Sequence, residues 1–226
     1  MQLCDGVLNL LFPPKCPFCG RVTDTPGVCA GCESSLPWTA EHHSLWELPG
    51  GLRCAAPLWY KGAVRKGLAR FKFQGAAGAA NALGALVAQC AAERLSGEFD
   101  VVTWAPVSRK RLKRRGYDQA ELLACGACRL WSTRPERLLC KIVDNPPQSG
   151  LEDAAARSEN VSGVYAPAEG AEIQGRRILL VDDICTTGAT LASCAGALRA
   201  AGAAAVVCAA VARTPLEKKV YNLKEE

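Results

Sequence analysis

An α/β fold, built on a twisted parallel sheet with helices on both faces and preceded by a small metal-binding module, is what this sequence predicts. Three observations carry the prediction. Uninterrupted apolar runs such as Ile178 to Val181 are the pattern of strands buried on both faces. These runs alternate with stretches of helical periodicity, as in chains that return repeatedly to a parallel sheet. Two Cys-x-x-Cys pairs, Cys16/Cys19 and Cys29/Cys32, stand near the N-terminus in a segment with few large aliphatic residues.

A short helix is expected near 3–11, followed by the cysteine module to about residue 50. Each two-residue gap lets one tight turn present both sulfurs, with Pro17, Gly20 and Gly31 supplying the turn chemistry. Four soft sulfur ligands with no open position select a structural Zn2+. Metal binding contributes about 10–16 kcal/mol in small finger peptides, enough to offset the missing apolar core. His42 and His43 are read as surface residues, because four sulfurs already complete a site. Trp38, Trp46 and Trp59 are read as packing against the module, with stacking on nucleic-acid bases as the alternative.

Val64, Leu68 and Phe71 fall at helical spacing within 61–72, and a second helix is expected over 76–96. Strands are expected near 100–105, 138–143, 162–166, 177–182 and 205–212, with helices over 117–131, 150–158 and 188–201. Pro146-Pro147 and the stretch 166–175 read as loops, and the charged tail after Thr214 as frayed. The other nine cysteines, including the Cys125/Cys128 pair, lie mostly among Ala and Leu and are read as small core residues. The expected division is a zinc-ribbon domain with its short helix over 1–52, a larger domain over 53–215 and a tail over 216–226.

With 226 residues, 49% hydrophobic and 22% charged, the chain is globular rather than disordered. It has no apolar run of about 20 residues, so no membrane insertion is expected. The opening residues carry no cationic segment ahead of Val7 to Phe12, so no secretory leader is expected either, and the location implied is cytoplasmic. Thirteen cysteines in such a chain do not indicate a disulfide framework. The net charge of +5 is unevenly spread: Arg53 to Arg115 holds 13 Lys/Arg against 3 Asp/Glu, a balance of +10, which leaves −5 for the rest. A basic middle on an acidic chain fits a polyanionic partner, either nucleic acid or a phosphorylated small molecule, with a solvated helix face as the alternative.

The chemistry concentrates in two stretches. In the first, the run Ile178 to Val181 ends in Asp182-Asp183 and continues through Thr186-Thr187-Gly188-Ala189-Thr190 into an Ala/Leu-rich helix. Acids at the C-terminal end of a parallel strand lie where ligands bind in such sheets. A Thr/Gly turn opening a helix aims backbone N–H groups and hydroxyls at one spot, which suits a phosphate. The lysine of a nucleoside-triphosphatase loop is missing. Two carboxylates beside a phosphate cradle suit a sugar phosphate, accepting hydrogen bonds from vicinal hydroxyls. In the second stretch, Ser108-Arg109-Lys110-Arg111-Leu112-Lys113-Arg114-Arg115-Gly116 follows a strand that ends near Pro106, and is read as a loop before the helix at 117. Six cations in seven residues repel one another unless they face an anion, either a Mg2+-bound pyrophosphate or a nucleic-acid backbone.

The acid-acid-threonine segment closely resembles the 5-phosphoribosyl pyrophosphate (PRPP) motif of type I phosphoribosyltransferases. The resemblance implies that Asp182 and Asp183 hold the ribose hydroxyls and that Thr186, Thr187, Gly188, Ala189 and Thr190 bind the 5-phosphate. Across nearly the whole chain, roughly 4 to 214, the order of landmarks resembles the ComF family of competence-associated proteins. These landmarks are the zinc ribbon, Tyr60, Phe71 to Gly75, Arg115-Gly116-Tyr117-Asp118-Gln119, Gln148, Leu151, Arg157, Asn160, the PRPP motif and Val211-Ala212-Arg213. The family implies a double zinc ribbon fused to a type I phosphoribosyltransferase-like sheet, with a link to DNA uptake or base salvage. The chain departs from the family pattern at Asp118 (usually Asn) and Lys141 (usually Arg), and from the PRPP motif at Cys185 (usually aliphatic).

Two functions follow. In one, an enzyme transfers the phosphoribosyl group of PRPP, with Mg2+, to a nucleobase or amine acceptor. Asp182, Asp183 and Arg115 are its catalytic candidates, and Ser108, Arg109, Arg111, Arg114 and Arg115 hold the pyrophosphate. In the other, the chain is a single-stranded DNA-binding uptake factor regulated by PRPP, with little turnover.

Overall fold

The computed structural model describes residues 13–73, 77–143 and 163–215. The expected helices at 3–11 and 150–158, the landmarks Gln74, Gly75, Gln148, Leu151, Arg157 and Asn160, and the tail from 216 lie outside them.

In chain order the described elements are α1 (Ala30–Glu33), α2 (Glu41–Ser44), β1 (Leu45–Leu48), β2 (Leu52–Ala55), β3 (Leu58–Trp59), α3 (Gly62–Phe73), α4 (Ala80–Arg94), β4 (Val101–Trp104), α5 (Arg109–Arg115), α6 (Gln119–Leu130), β5 (Leu139–Lys141), β6 (Tyr165–Pro167), β7 (Arg177–Cys185), α7 (Ala189–Ala200) and β8 (Ala205–Arg213). The main sheet runs β1-β2-β8-β7-β4, with β3 also paired to β8. Every pairing in it is parallel except the β1–β2 hairpin. Among the described residues, strand pairing of this sheet begins at Leu45.

The apolar runs are continuous because both faces are covered. Leu179, Val181, Val207, Ala209 and Val211 pack against α3, α4 and α6, through Leu68, Phe71, Leu83, Val87 and Leu123. Their neighbours Ile178, Leu180, Val206, Cys208 and Ala210 pack on the opposite face, against Leu191, Cys194 and Leu198 of α7. Alternate side chains of one strand thus serve two cores. Helices α4 and α6 touch backbone to backbone. A Cβ at Gly84 would lie 2.6 Å from the Ala127 nitrogen, and one at Gly126 would lie 2.6 Å from the Ala80 carbonyl oxygen.

Two expectations are corrected. The stretch 138–143 and the described part of 162–166 do not extend the parallel sheet. They form the short antiparallel pair β5–β6, with Leu139 opposite Pro167 and Lys141 opposite Tyr165. Leu138 and Leu139 are buried but Ile142 and Val143 are exposed, so the run lacks the two covered faces that a central strand needs. The Arg-rich stretch is not a loop but the helix α5. Ser108 caps it by accepting a hydrogen bond from the Arg111 N–H, and Gly116 ends it at φ +81°. Six Arg and Lys side chains carry good helix propensity, and the repulsion between them is eased by the exposure of Arg109, Lys110, Lys113 and Arg114 to solvent.

Candidate functional site

The first knuckle of the zinc module closes where the Cys16 N–H donates to the Arg21 carbonyl and the Gly20 N–H to the Cys16 carbonyl. The second is formed by the Cys32 and Glu33 N–H groups, which donate to the Cys29 carbonyl at the start of α1. Together they bring the sulfurs of Cys16, Cys19, Cys29 and Cys32 within 4.8 Å of one another. A tetrahedral ion with metal–sulfur bonds of about 2.3 Å has sulfur–sulfur edges of about 3.8 Å, so this set fits zinc. The Arg21 guanidinium donates to the sulfurs of Cys19 (3.5 Å) and Cys29 (3.6 Å). That contact brings the Cys19 thiol down to about 6, which favours the thiolate a metal requires.

The module is docked on α3. Phe18, between the first two cysteines, is buried in the core. A Cβ at Gly67 would lie 2.6 Å from the Pro17 carbonyl oxygen, so glycine allows this close approach. Arg70 Nη2 donates to the Phe18 carbonyl at 2.5 Å. Trp46 and Trp59 stack against the Arg213 guanidinium, whose carbon lies 3.9 Å and 5.2 Å from their ring centres. His42 and His43 are exposed, as expected.

The acid pair lies near the C-terminal end of β7, with Asp182 in register with Ala210 of β8. The Asp183 N–H donates to Asp182 Oδ1 at 2.7 Å. Burial pushes the Asp182 carboxyl up, and the neighbouring charge of Asp183 pushes it further in the same direction; Lys72 pulls it down. The Lys72 ammonium, on the last turn of α3, is 2.7 Å from Asp183 Oδ2. Asp182, Cys185, Thr186, Thr187, Gly188 and Thr190 line a dimple of about 20 Å3 at the start of α7. Gly188 holds φ +79°, and a Cβ there would lie 2.5 Å from a Leu48 methyl, so the hairpin β1–β2 supports this turn from behind. Cys185 is buried in the α7-side core, which accounts for a small apolar residue there.

Helix α5 sorts its cations by face. Arg111 and Arg115, one turn apart, are half-buried, while Arg109, Lys110, Lys113 and Arg114 are exposed. Arg115 Nη1 donates to Gln119 Oε1 at 2.5 Å, and its guanidinium lies 4.8 Å from the Phe73 ring centre. Burial lowers the Arg115 pKa, and the Asp183 charge opposes that shift. Burial pushes the Tyr165 phenol far up; the charge of Asp182 adds to that shift and the charge of Arg111 opposes it. Arg109 and Ser108 border a separate cleft of about 410 Å3, with Trp104, Asp118, Arg137 and Lys141. Asp118 is an N-cap: one oxygen accepts from the Val107 N–H at 2.9 Å, the other from the Ala120 and Glu121 N–H groups. Its carboxylate is spent on backbone, so it does not compete for the cations of α5.

The structure thus gathers Asp182, Asp183, the threonine turn and Arg115, and places Arg109 and Arg114 on other surfaces of the same helix. Two contributors were missed. Lys72 belonged to the landmark Phe71 to Gly75, but nothing in local spacing indicates which way a lysine at a helix end points. Leu48 gave no signal, because its role arises only when β1 folds against α7.

Known proteins share these features. Residues 7–44 match the family model described as a double zinc ribbon domain, and residues 146–224 match the phosphoribosyl transferase domain. Fold and matches together define a zinc-ribbon protein with a phosphoribosyltransferase-like domain. Over 206 residues the chain is 31% identical to Competence protein ComFC of Bacillus subtilis (strain 168), covering 90% of this chain and 79% of that protein. It is 27% identical over 208 residues to Competence protein F of Haemophilus influenzae, covering 88% and 90% respectively. The chain belongs to the ComF family. A 45-residue stretch is 47% identical to adenine phosphoribosyltransferase of Mycobacterium avium (strain 104), covering 20% of this chain and 25% of that protein. Among solved structures, the glutamine PRPP amidotransferase from B. subtilis aligns at 26% identity and a TM-score of 0.37, over 57% of this chain and 25% of that one.

Proposed function

We propose that this protein binds PRPP together with Mg2+ at the end of β7, and transfers or senses its phosphoribosyl group. The observation that carries the reading is the placement of Asp182 at the threonine dimple, with Asp183 beside it and the Lys72 ammonium of α3 on Asp183. The dimple opens between the threonine turn and the start of α7. Its threonine hydroxyls and helix start supply donors. The two carboxylates accept from vicinal ribose hydroxyls, and the half-buried Arg111 and Arg115 supply positive charge for the pyrophosphate.

In the transfer reading the C1–oxygen bond breaks and pyrophosphate departs with its electron pair. A nitrogen acceptor forms the new C1–N bond and then loses its proton. Asp182 and Asp183 favour the positive charge that develops on the ribose, and Arg115 the negative charge on the leaving group. Asp182 and Asp183 offer carboxylate oxygens of the kind that would hold Mg2+, which would supply positive charge to the pyrophosphate. Titration calorimetry with PRPP and Mg2+ tests the reading. The native chain should bind, and the Asp182→Asn/Asp183→Asn double variant should not; unchanged affinity in the variant refutes the assignment. Pyrophosphate release with nucleobases, ammonia and oligonucleotides as acceptors separates transfer from sensing.

A second reading draws on the exposed Lys110, Lys113 and Arg114, which line the outer side of α5 beside the exposed Leu112. They suit single-stranded DNA, and the similar proteins of B. subtilis and H. influenzae carry the name of competence proteins. Affinity for an oligonucleotide that falls steeply with salt, and less steeply after removal of these three charges, supports it. Among the described residues no helix is long and apolar enough to cross a membrane. We place the protein in the cytoplasm on the basis of its sequence.

A further inference from the structure

The Lys72–Asp183 contact differs from the other ion pairs among the described residues. Those, such as Arg177–Asp100 and Arg176–Glu136, join surface groups. The side chains of Lys72 and Asp183 are only 22% and 10% exposed, and a second carboxylate adjoins them. Desolvating an ammonium is costly, so a purely structural pair gains little from this location.

The aim of Lys72 is fixed by its surroundings. The preceding residue, Phe71, is fully buried, and its carbonyl accepts from the Tyr117 hydroxyl at 2.5 Å. Arg70 is tied to the Phe18 carbonyl of the first cysteine knuckle. The following residue, Phe73, lies against the Arg115 guanidinium. Lys72 is therefore held at the acid pair, where the Asp183 carboxylate is the anion it meets. Once ribose hydroxyls occupy the carboxylates and the 5-phosphate sits in the threonine dimple, the nearest remaining anion is the group carried on C1.

We propose that Lys72 is a further ligand-contacting residue of this site, exchanging its Asp183 partner for the pyrophosphate of bound PRPP. The inference rests on the PRPP reading above, and its test separates the two. Calorimetry on the zinc-loaded full chain compares PRPP plus Mg2+ with ribose 5-phosphate, for the native protein and for Lys72→Met, Lys72→Gln and Lys72→Arg. A charge-assisted hydrogen bond is worth roughly 1.5–3 kcal/mol, so Lys72→Met and Lys72→Gln should weaken PRPP binding by about tenfold or more. Ribose 5-phosphate binding should stay within about twofold, and Lys72→Arg should recover most of the loss, since only the charge-carrying contact is altered. Equal losses for both ligands, or no loss for PRPP, overturn the inference while leaving the PRPP reading intact. A native protein that binds neither ligand overturns both. Using two neutral variants keeps the result readable if one of them fails to fold.

Discussion

The four-cysteine module and the acid-threonine turn reach order by opposite means. In the module, the ligand sulfurs converge around little apolar mass, and Phe18 and Leu36 are the large side chains it inserts into the shared core. The turn carries no internal staple. It is held by elements around it: β7 and β8 from below, Leu48 from behind, and α7 continuing from it. The difference shows where each is vulnerable. The module should fail as a unit when its ligands are lost, whereas the turn should degrade by degrees as its supports are trimmed. Helix α3 connects them, since the residues that meet the module (Gly67, Arg70) and the one that meets the acid pair (Lys72) lie within two turns of one another.

The largest effect expected is on the module. Stripping zinc, or replacing Cys16 with Ser, should unfold residues 13–44 while the sheet persists, because metal binding of about 10 kcal/mol or more is then lost from a segment with little core. Limited proteolysis with and without chelator reads this directly, and a module that stays protected without metal removes the contrast. Next comes the α4–α6 contact. Gly84→Ala forces a methyl into backbone and should cost about 2–4 kcal/mol, seen as a lowered denaturant midpoint with an unchanged slope. A neutral outcome means that the helices can part without cost.

Smaller and more local is Gly188→Ala, which combines a strained φ with the Leu48 clash and should cost about 1–3 kcal/mol. Adding Leu48→Ala should restore the part due to the clash and leave the part due to φ. A double-mutant cycle with no coupling contradicts support from behind. The smallest effect concerns Asp118. Asp118→Ala should cost about 1 kcal/mol as a lost cap. Burial raises the folded-state pKa of Asp118, so its contribution is greatest below the unfolded value and is lost as pH rises through the folded one. Asp118→Asn keeps an acceptor without the charge. Its stability relative to the native chain should therefore improve as pH rises, and a difference that does not vary with pH counts against this account.

Much of this architecture could be read from the residues, for reasons that differ from place to place. Strand β7 was legible because an unbroken apolar run ending in two acids has few other uses. The cysteine pairs were legible because ligand spacing is local. The Lys72–Asp183 contact was not, since it depends on how distant segments pack. Helix α5 was hidden by its own charge: six cations suggested a loop wrapped on an anion, while a Ser cap and a Gly stop, both visible in the sequence, marked a helix. β5 and β6 were misplaced because short apolar runs carry no record of whether one face or two will be covered. The role of Arg213 likewise arises only from packing, where its guanidinium meets the rings of Trp46 and Trp59.

The position of β8 has a consequence for how the protein is made. It is the last described strand to leave the ribosome, yet it lies between β2 and β7 in the middle of the sheet. Until residues 205–213 emerge, the two halves of the sheet have no common neighbour, and each presents an unpaired inner edge. N-terminal fragments that stop short of Arg213 should be sticky and incapable of completing the ligand site, so assembly must wait for β8.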